Sequence, residues 1–309
     1  MPKILFTTST FNLDNFAERD LVKAAGYELI INPYGKRLTE EQLMELIDDE
    51  VIAIVAGLEP ITSSVLMSTK NLKVIARCGV GLDNVNIECA KSKNISVYNT
   101  PDSPTRSVAE LTLAHILSLS RRISEANNHI KNNQWNPLMG SMIAKQTIGI
   151  IGFGRIGMLV GHLLTIFGCR IIVYDPIIKN IAEGYELVSF DEIIKESDVI
   201  TLHIPYKADT HHLIGKKQFD KMKKGTLLVN IARGGLVDEQ ALFTALNEGK
   251  IGGAALDCFE NEPYNGPLTS CKNIQMTAHM GSYAKEGREM QEAEACVELM
   301  KGLRKHNLI

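Results

Sequence analysis

Residues 147–175 read TIGIIGFGRIGMLVGHLLTIFGCRIIVYD. A β-branched run, Thr147–Ile151, leads into a glycine-rich turn, which is followed by an apolar stretch and a second β-branched run, Arg170–Tyr174. The turn matches G-x-G-x-x-G, with its glycines at Gly152, Gly154 and Gly157. A strand, a glycine-rich turn, a helix and a second strand in this order predict a dinucleotide-binding unit.

Each part of this stretch has a physical role in the predicted unit. The first glycine makes the tight turn, the second lets the backbone approach a pyrophosphate, and the third lets the helix pack on the strand. The start of the helix offers backbone N–H groups to the phosphates. Asp175 ends the second strand, where its carboxylate can accept hydrogen bonds from ribose hydroxyls and repel a 2′-phosphate. The cofactor predicted is therefore NAD, and the alternative is a glycine-rich turn beside a surface aspartate.

Two series of short, β-branched runs without polar alternation extend over the rest of the chain, with polar-apolar helical stretches between them. The first series is predicted at Lys3–Thr7, Leu29–Ile31, Val51–Ala56, Leu72–Ala76 and Ile95–Tyr98. The second series is predicted at Thr147–Ile151, Arg170–Tyr174, Val199–Leu202, Thr226–Asn230, Gly252–Leu256 and Ile274–Ala278. Such runs are typical of strands buried on both faces of a parallel sheet. The fold class predicted is α/β, with two doubly wound parallel-sheet domains.

Two longer helices complete the predicted organisation. Ser103 followed by Pro104 is a favourable helix start, a cap residue before proline at the first helical position, and Val108–Ile123 continues with helical spacing. The final stretch, Ala284–Lys305, predicts one amphipathic helix.

Composition excludes several classes of protein. With 45% hydrophobic and 22% charged residues among 309, the chain is neither fibrous nor disordered. The 33 basic and 36 acidic residues lack the basic excess of a nucleic-acid-binding protein. No apolar run approaches the ~20 residues that span a bilayer, and the six cysteines fit no zinc pattern. We therefore expect a cytoplasmic protein without a metal, with no nucleic-acid or membrane partner.

Three further motifs follow the last predicted strands of the second series. They are NIARGG at 230–235, DCFENEP at 257–263 and HMGS at 279–282. Ligands of open α/β sheets bind outside the carboxyl ends of the strands. Arg233, Asp257, Glu262 and His279 are therefore expected at the edge that receives the nicotinamide.

These residue types suit hydride transfer at an alcohol or carbonyl carbon. Histidine can remove or supply the proton on the oxygen, which makes His279 the candidate acid and base. A carboxylate on its other nitrogen, from Glu262, would orient the ring. Arg233 can bind a substrate carboxylate with two parallel hydrogen bonds, and Asp257 can accept from the nicotinamide carboxamide. The alternatives are Glu260 in place of Glu262, and His211 or His212 in place of His279.

The motifs together resemble the D-isomer-specific 2-hydroxyacid dehydrogenases, most closely the short proteins similar to D-3-phosphoglycerate dehydrogenase. The resemblance covers nearly the whole chain. It includes RCGVGLDN at 77–84, NTP at 99–101, VAELT at 108–112, LHIP at 202–205 and the motifs above.

The resemblance implies a catalytic triad of Arg233, Glu262 and His279. It implies substrate contacts from Arg77 and from the loop of Gly79, Val80 and Gly81. The cofactor contacts implied, beyond the glycines, are Thr105, Arg155, Ile156, Asp175, Pro205, Thr210, Ala232 and Asp257.

The resemblance also implies a domain organisation. Residues 1–100 would form a flavodoxin-like substrate domain, residues 101–284 a Rossmann NAD-binding domain, and residues 285–309 a helix that returns to the substrate domain. The active site would lie in the cleft, and two copies would form a homodimer through the NAD-binding domain.

The function expected is hydride transfer between the nicotinamide and C2 of a small D-2-hydroxy acid, with 3-phosphoglycerate as one candidate. Some phosphoglycerate enzymes carry an extra arginine in the loop after the third strand, where this chain has Glu59, which is expected to repel a phosphate. The alternatives are an NAD(H)-sensing binding protein of the corepressor type, or the same fold acting on glyoxylate, hydroxypyruvate, formate or phosphite. The sequence leaves the acid itself open.

Overall fold

The computed structural model describes residues 1–309, which divide into two compact units. Unit 1 comprises residues 1–104 and 282–309, and unit 2 comprises residues 105–281. The domain roles predicted for residues 1–100, 101–284 and 285–309 stay predictions. None of the helices is both long and apolar enough to span a membrane.

Unit 1 contains a five-stranded parallel sheet in the order β2-β1-β3-β4-β5. Its strands are β1 (Lys3–Phe6), β2 (Glu28–Ile31), β3 (Val51–Ala56), β4 (Val74–Arg77) and β5 (Ser96–Asn99). The helices between them are α1 (Arg19–Ala24), α2 (Glu40–Leu46), α3 (Ser63–Ser68) and α4 (Ile87–Ser92). Successive side chains of β1 enter different cores, with Ile4 and Phe6 on one face and Leu5 on the other. This burial of both faces explains why the strand carries no polar alternation.

The last helix of the chain, α11 (Lys285–Lys305), covers one face of this first sheet. Its residues Ala295, Leu299 and Leu303 are fully buried in the same core as Ile4 and Phe6. The apolar stripe of α11 is therefore part of the core of unit 1.

Unit 2 contains a seven-stranded parallel sheet in the order β12-β11-β10-β9-β6-β7-β8. Its strands are β6 (Thr147–Ile151), β7 (Arg170–Tyr174), β8 (Glu186–Leu187), β9 (Val199–Leu202), β10 (Thr226–Asn230), β11 (Ile251–Leu256) and β12 (Ile274–Met276). Its helices are α5 (Thr105–Ser120), α6 (Ile123–Lys131), α7 (Arg155–Thr165), α8 (Phe190–Glu196), α9 (Lys216–Lys221) and α10 (Glu239–Asn247). The chain order of the strands changes direction between β6 and β9, as it does at a dinucleotide-binding switch point. The two sheets confirm the predicted fold class.

Two local expectations are wrong. The second sheet has seven strands rather than six, because the short edge strand β8 pairs with β7 through exposed residues that show no apolar pattern. The helix expected from Ser103 begins at Thr105 instead, and the buried Ser103 hydroxyl caps nothing. The Ser103 backbone N–H donates to Glu294 at 2.9 Å, a partner nearly two hundred residues away that local spacing cannot reveal.

Candidate active site

The glycine-rich turn joins β6 to α7 without room for side chains. Gly152 has a φ of 92°, and its N–H donates to the Tyr174 carbonyl at 2.8 Å. A Cβ on Gly157 would lie 2.1 Å from the Gly152 carbonyl oxygen. The helix can therefore pack against the turn only with glycine at this position, as the fingerprint requires.

The start of α7 leaves space for a ligand. Gly154 is the residue before the helix, where it offers no side-chain cap, and a Cβ there would meet no atom within 4 Å. Arg155, which is exposed, and Ile156 follow in the first turn of the helix. An open helix N-terminus with backbone N–H groups suits a pyrophosphate.

Asp175 ties the glycine-rich turn to the segment after β7. Its Oδ2 accepts the Phe153 N–H at 2.8 Å, and its Oδ1 accepts the Ile177 N–H at 2.9 Å. Oδ1 also accepts the Ile178 N–H at 3.3 Å, so three of the roughly four acceptor positions of the carboxylate are used and about one remains for a ribose hydroxyl. The carboxylate is thus held at the end of β7, and its cofactor contact stays a prediction.

The other predicted cofactor residues lie around the carboxyl ends of the same sheet. Pro205 and Thr210 follow β9, and the Thr210 hydroxyl accepts the Lys207 N–H at 2.8 Å. Ala232 follows β10 and donates its N–H to Asn230 at 3.1 Å. The hydroxyl of Thr105, at the start of α5, is buried without a hydrogen-bond partner, which is compatible with a predicted contact to the cofactor. Their cofactor contacts stay predictions.

The arginine loop and the glutamate loop are in direct backbone contact. A Cβ on Gly234 would lie 1.9 Å from the Phe259 carbonyl carbon and 2.4 Å from the Glu260 nitrogen. Arg233, the preceding residue, is half-buried and donates one Nη1–H to the Ala232 carbonyl at 2.8 Å. Only glycine at position 234 leaves room for this contact, which places Arg233 next to the loop of Glu262.

His279 and Glu262 form the pair expected of a proton-transfer site. The His279 Nδ1 lies 3.0 Å from both carboxylate oxygens of Glu262, and Glu262 also accepts the Phe259 N–H at 3.1 Å. The His279 side chain is 24% exposed and the Glu262 side chain is 18% exposed. A carboxylate on Nδ1 leaves Nε2 as the nitrogen that can face a reactant.

Asp257 holds the loop that carries His279 through hydrogen bonds to its neighbours. Its carboxylate is 1% exposed and accepts three hydrogen bonds, from the Thr277 hydroxyl at 2.6 Å and from the N–H groups of Met280 and Gly281 at 2.8 and 2.7 Å. These donors flank His279, whose φ of 51° lies in the left-handed region that costs energy for a side chain other than glycine. Reasoning from sequence missed this role, since it assigned Asp257 only to the nicotinamide.

The alternative residues named from the sequence pair with each other. The His212 Nε2 lies 2.5 Å from the Glu260 carboxylate, and the His212 ring stacks on His211 with centroids 3.8 Å apart. The pKa of a further histidine, His203, is lowered to about 3 by burial, so this ring stays neutral at neutral pH. Of the histidines considered, His279 is the one paired with Glu262.

The predicted substrate residues belong to unit 1, at the carboxyl end of β4. Arg77 is buried and donates an Nη1–H to the Cys78 carbonyl at 2.7 Å. Gly79 and Gly81 flank Val80, which is 43% exposed. Glu59 differs from its expected role because it is 1% exposed: its carboxylate accepts the Gly57 N–H at 2.9 Å and the Thr7 hydroxyl. It therefore supports the loop after β3 rather than pointing outward. No group of three or more histidine, cysteine or acidic side chains is arranged to hold a metal ion.

Residues 113–281 match the family model described as "D-isomer specific 2-hydroxyacid dehydrogenase, NAD binding domain". The chain is 42% identical over 274 residues to a D-3-phosphoglycerate dehydrogenase of Methanocaldococcus jannaschii, a match that covers 86% of this chain and 52% of the relative. It is 37% identical over 275 residues to a hydroxypyruvate reductase of Thermotoga maritima, covering 87% and 90%.

Solved structures share the fold over the full chain. A D-lactate dehydrogenase of Aquifex aeolicus, solved with NAD and lactic acid, superposes with a TM-score of 0.84 at 30% identity and covers 99% of this chain and 96% of its own. The chain thus spans about half the length of the phosphoglycerate dehydrogenase that it matches and nearly all of the reductase and the lactate dehydrogenase.

Proposed function

The chain belongs to the D-isomer specific 2-hydroxyacid dehydrogenase family, with an NAD-binding domain in residues 113–281, and from this premise we propose its reaction. The reaction is NAD-dependent hydride transfer at C2 of a small D-2-hydroxy acid or its 2-oxo acid. The observation that supports it most directly is the His279–Glu262 pair, on loops at the same edge of the sheet as the glycine-rich turn.

His279 is the proposed proton carrier. Bound NADH supplies the hydride that adds to C2 of the oxo acid. His279, protonated on both nitrogens, gives its Nε2 proton to the C2 oxygen, and the same ring takes that proton back in the oxidation direction. Glu262 stabilises the charged ring through Nδ1, at 3.0 Å, and fixes its orientation.

Arg233 is the proposed anchor of the reacting acid. A guanidinium has five N–H donors in a planar fork that fits a carboxylate, and its charge polarises an adjacent carbonyl oxygen. One of those donors is used by the Ala232 carbonyl, which orients the side chain. We assign the binding of the substrate carboxylate to Arg233. Substrate contacts from Arg77 and from the backbone of Gly79, Val80 and Gly81 stay predictions.

We favour an unphosphorylated acid as the substrate. The loop after β3, residues 57–60, contains no basic residue, and its only charged side chain, Glu59, is buried. A second anionic group on the substrate would find one cation fewer there than in an enzyme with arginine in this loop. The relatives named hydroxypyruvate reductase and glyoxylate reductase fit this preference.

We also propose that two copies associate through unit 2. Helix α6 and the segment after it expose large apolar side chains: Ile123, Ile130, Trp135, Met139 and Met142 are between 53% and 88% exposed. Exposed apolar surface of this extent is typical of an interface. Sedimentation velocity tests it, with a dimer expected for the wild type and a monomer for Trp135→Asp combined with Met139→Asp. A wild-type monomer at micromolar concentration rejects the interface. A cytosolic location stays a prediction.

NADH oxidation with a panel of phosphorylated and unphosphorylated 2-oxo acids tests the reaction. The expected result is turnover of at least one small acid, with the higher kcat/KM for unphosphorylated members. His279→Asn and Glu262→Gln are expected to lose most of kcat while keeping NADH affinity, because both residues act on the proton and not on the cofactor. His162→Asn, on the exposed side of α7, is the matched histidine control. NADH binding without turnover of any acid, formate or phosphite would instead identify a binding protein.

A further inference from the structure

The loop after β11, residues 257–263, carries two carboxylates that pair with two different histidines. Glu262 pairs with His279, and Glu260, two residues earlier, pairs with His212 through Nε2 at 2.5 Å. The His212 and Glu260 side chains are 36% and 31% exposed, so the second pair is only partly solvated. The loop is thus held from both sides, by one histidine at each glutamate.

A third carboxylate holds the backbone of the same loop. Glu239, the first residue of α10, accepts the Glu260 N–H at 2.8 Å. Burial raises the pKa of Glu239, and the negative charges of Glu260 and Glu262 raise it further. The hydrogen bond from the Glu260 N–H and the neighbouring His212 act in the opposite direction and lower this pKa. Three carboxylates therefore meet around one short loop, where each disfavours the charge of the others.

His212 is itself fixed to the arginine loop. Its backbone N–H donates to the Gly235 carbonyl at 2.8 Å, and its ring stacks on His211. His211 in turn contacts the Tyr206 hydroxyl through Nδ1 at 3.2 Å. The histidine that contacts Glu260 is therefore attached to the loop that also carries Arg233.

We propose that His212 and Glu239 are positioning residues for the reaction proposed above: they hold Glu260 by its carboxylate and by its N–H, so that the loop presents Glu262 to His279. The proposal rests on the proposed function, because the pairing of Glu262 with His279 matters for the reaction only if His279 transfers the proton.

The elements packed around the His279 loop carry further charged groups. On the loops after β9, β10, β11 and β12 and on the neighbouring helices, these are Arg233, Glu239, Asp257, Glu260, Glu262, His212 and the ion-paired Arg106 and Glu110 of α5. Cys258 is also present, but burial raises the pKa of its thiol so that it stays neutral.

The experiment measures kcat, KM and NADH affinity in the intact protein, and follows the His279 ring signals by NMR at one pH, assigned by their loss in His279→Asn. His212→Gln keeps an N–H donor for the Glu260 carboxylate and should keep more than half of wild-type kcat. His212→Ala loses that contact, so kcat is expected to fall about tenfold at unchanged NADH affinity. The His279 ring signals should shift in His212→Ala and stay near their wild-type positions in His212→Gln.

The Glu239 variants test the backbone contact separately. Glu239→Gln keeps an acceptor for the Glu260 N–H and should keep more than half of wild-type kcat, whereas Glu239→Ala should lose about tenfold at unchanged NADH affinity. Equal kcat in His212→Gln and His212→Ala overturns the role of His212. Equal kcat in both Glu239 variants overturns the role of Glu239. Failure of the proposed function is distinguishable, because it appears as a wild type without turnover, while the His279 ring signals need no turnover.

Discussion

Replacement of Asp257 by asparagine tests how the histidine loop is held. The Asp257 carboxylate accepts from the Thr277 hydroxyl, the Met280 N–H and the Gly281 N–H, and it is 1% exposed. Asparagine has the same shape but only one acceptor oxygen. If that oxygen takes the Oδ1 position, it keeps the first two donors, and the amide NH₂ then faces the Gly281 N–H.

The expected cost follows from those contacts. Hydrogen bonds to a charged group contribute about 1.5–3 kcal/mol each, and a buried donor without a partner costs about 1–3 kcal/mol. Loss of the charge and of the Gly281 bond is therefore expected to lower the free energy of unfolding by about 3 kcal/mol. His279 occupies the left-handed region, with a φ of 51°, so a loosened loop releases its backbone and displaces the ring. Displacement of a reacting group by about 1 Å costs about 100-fold in rate, which is the fall expected in kcat/KM.

Urea unfolding and steady-state kinetics measure the two effects. Thr277→Val removes one donor and leaves the carboxylate intact, so a loss of about 1 kcal/mol is expected. Asp198→Asn is the matched control, because Asp198 also accepts a backbone N–H, from Thr147 at 2.8 Å, but lies at the opposite edge of the sheet. A stable Asp257→Asn variant with wild-type kcat/KM would refute the view that Asp257 holds the histidine loop. A destabilised variant with wild-type kcat/KM would refute the effect of Asp257 on His279.

Three further changes test other parts of unit 2. Gly234→Ala places a Cβ 1.9 Å from the Phe259 carbonyl carbon, so we expect about 1–3 kcal/mol of destabilisation in urea and a large loss of kcat/KM; activity equal to wild type would contradict the contact between the loops. His203 stays neutral in the folded state because its pKa is about 3, whereas the unfolded chain takes up the proton below about pH 6.5, so the free energy of unfolding falls as the pH is lowered. Between pH 7 and pH 5 the wild type should lose about 2 kcal/mol more of this free energy than His203→Gln. Equal losses in the two proteins would reject this explanation. Asp175→Ala should lower the ratio of kcat/KM for NAD over NADP by about tenfold or more, since the carboxylate is at the strand end that meets the ribose; an unchanged ratio would remove Asp175 from cofactor selection.

Buried parallel strands were predictable because their sequence signal is local. Val51–Ala56 is apolar throughout and buried throughout, so a strand covered on both faces follows from composition alone. The edge strand Glu186–Leu187 has two exposed residues and no such signal, and only its pairing with β7 makes it a strand. The helix start at Thr105 also involves a partner that is distant in sequence. The Ser103 N–H donates to Glu294, and the residues around Ser103 give no sign of this contact.

Sequence reasoning named Glu262 as the partner of His279 and kept Glu260 as the alternative, but it did not foresee that Glu260 would pair with His212. Glu260 and Glu262 stand two residues apart in one loop, and both are near a histidine. Which carboxylate meets His279 depends on the path of the loop backbone, and that path depends on contacts made from other loops. Spacing after a strand therefore predicts the edge of the sheet that a side chain reaches, and tertiary contact decides which of two neighbours it binds.

The candidate site is a product of three loops that stabilise each other. Gly234 brings the loop after β10 against Phe259, and Asp257, in the same loop as Phe259, binds the N–H groups that flank His279. Displacement of any one loop therefore moves its neighbour, and effects of substitutions at these contacts should not add. The residues that govern proton transfer are accordingly expected to include small and buried ones, such as Gly234 and Asp257, as well as the histidine that carries the proton.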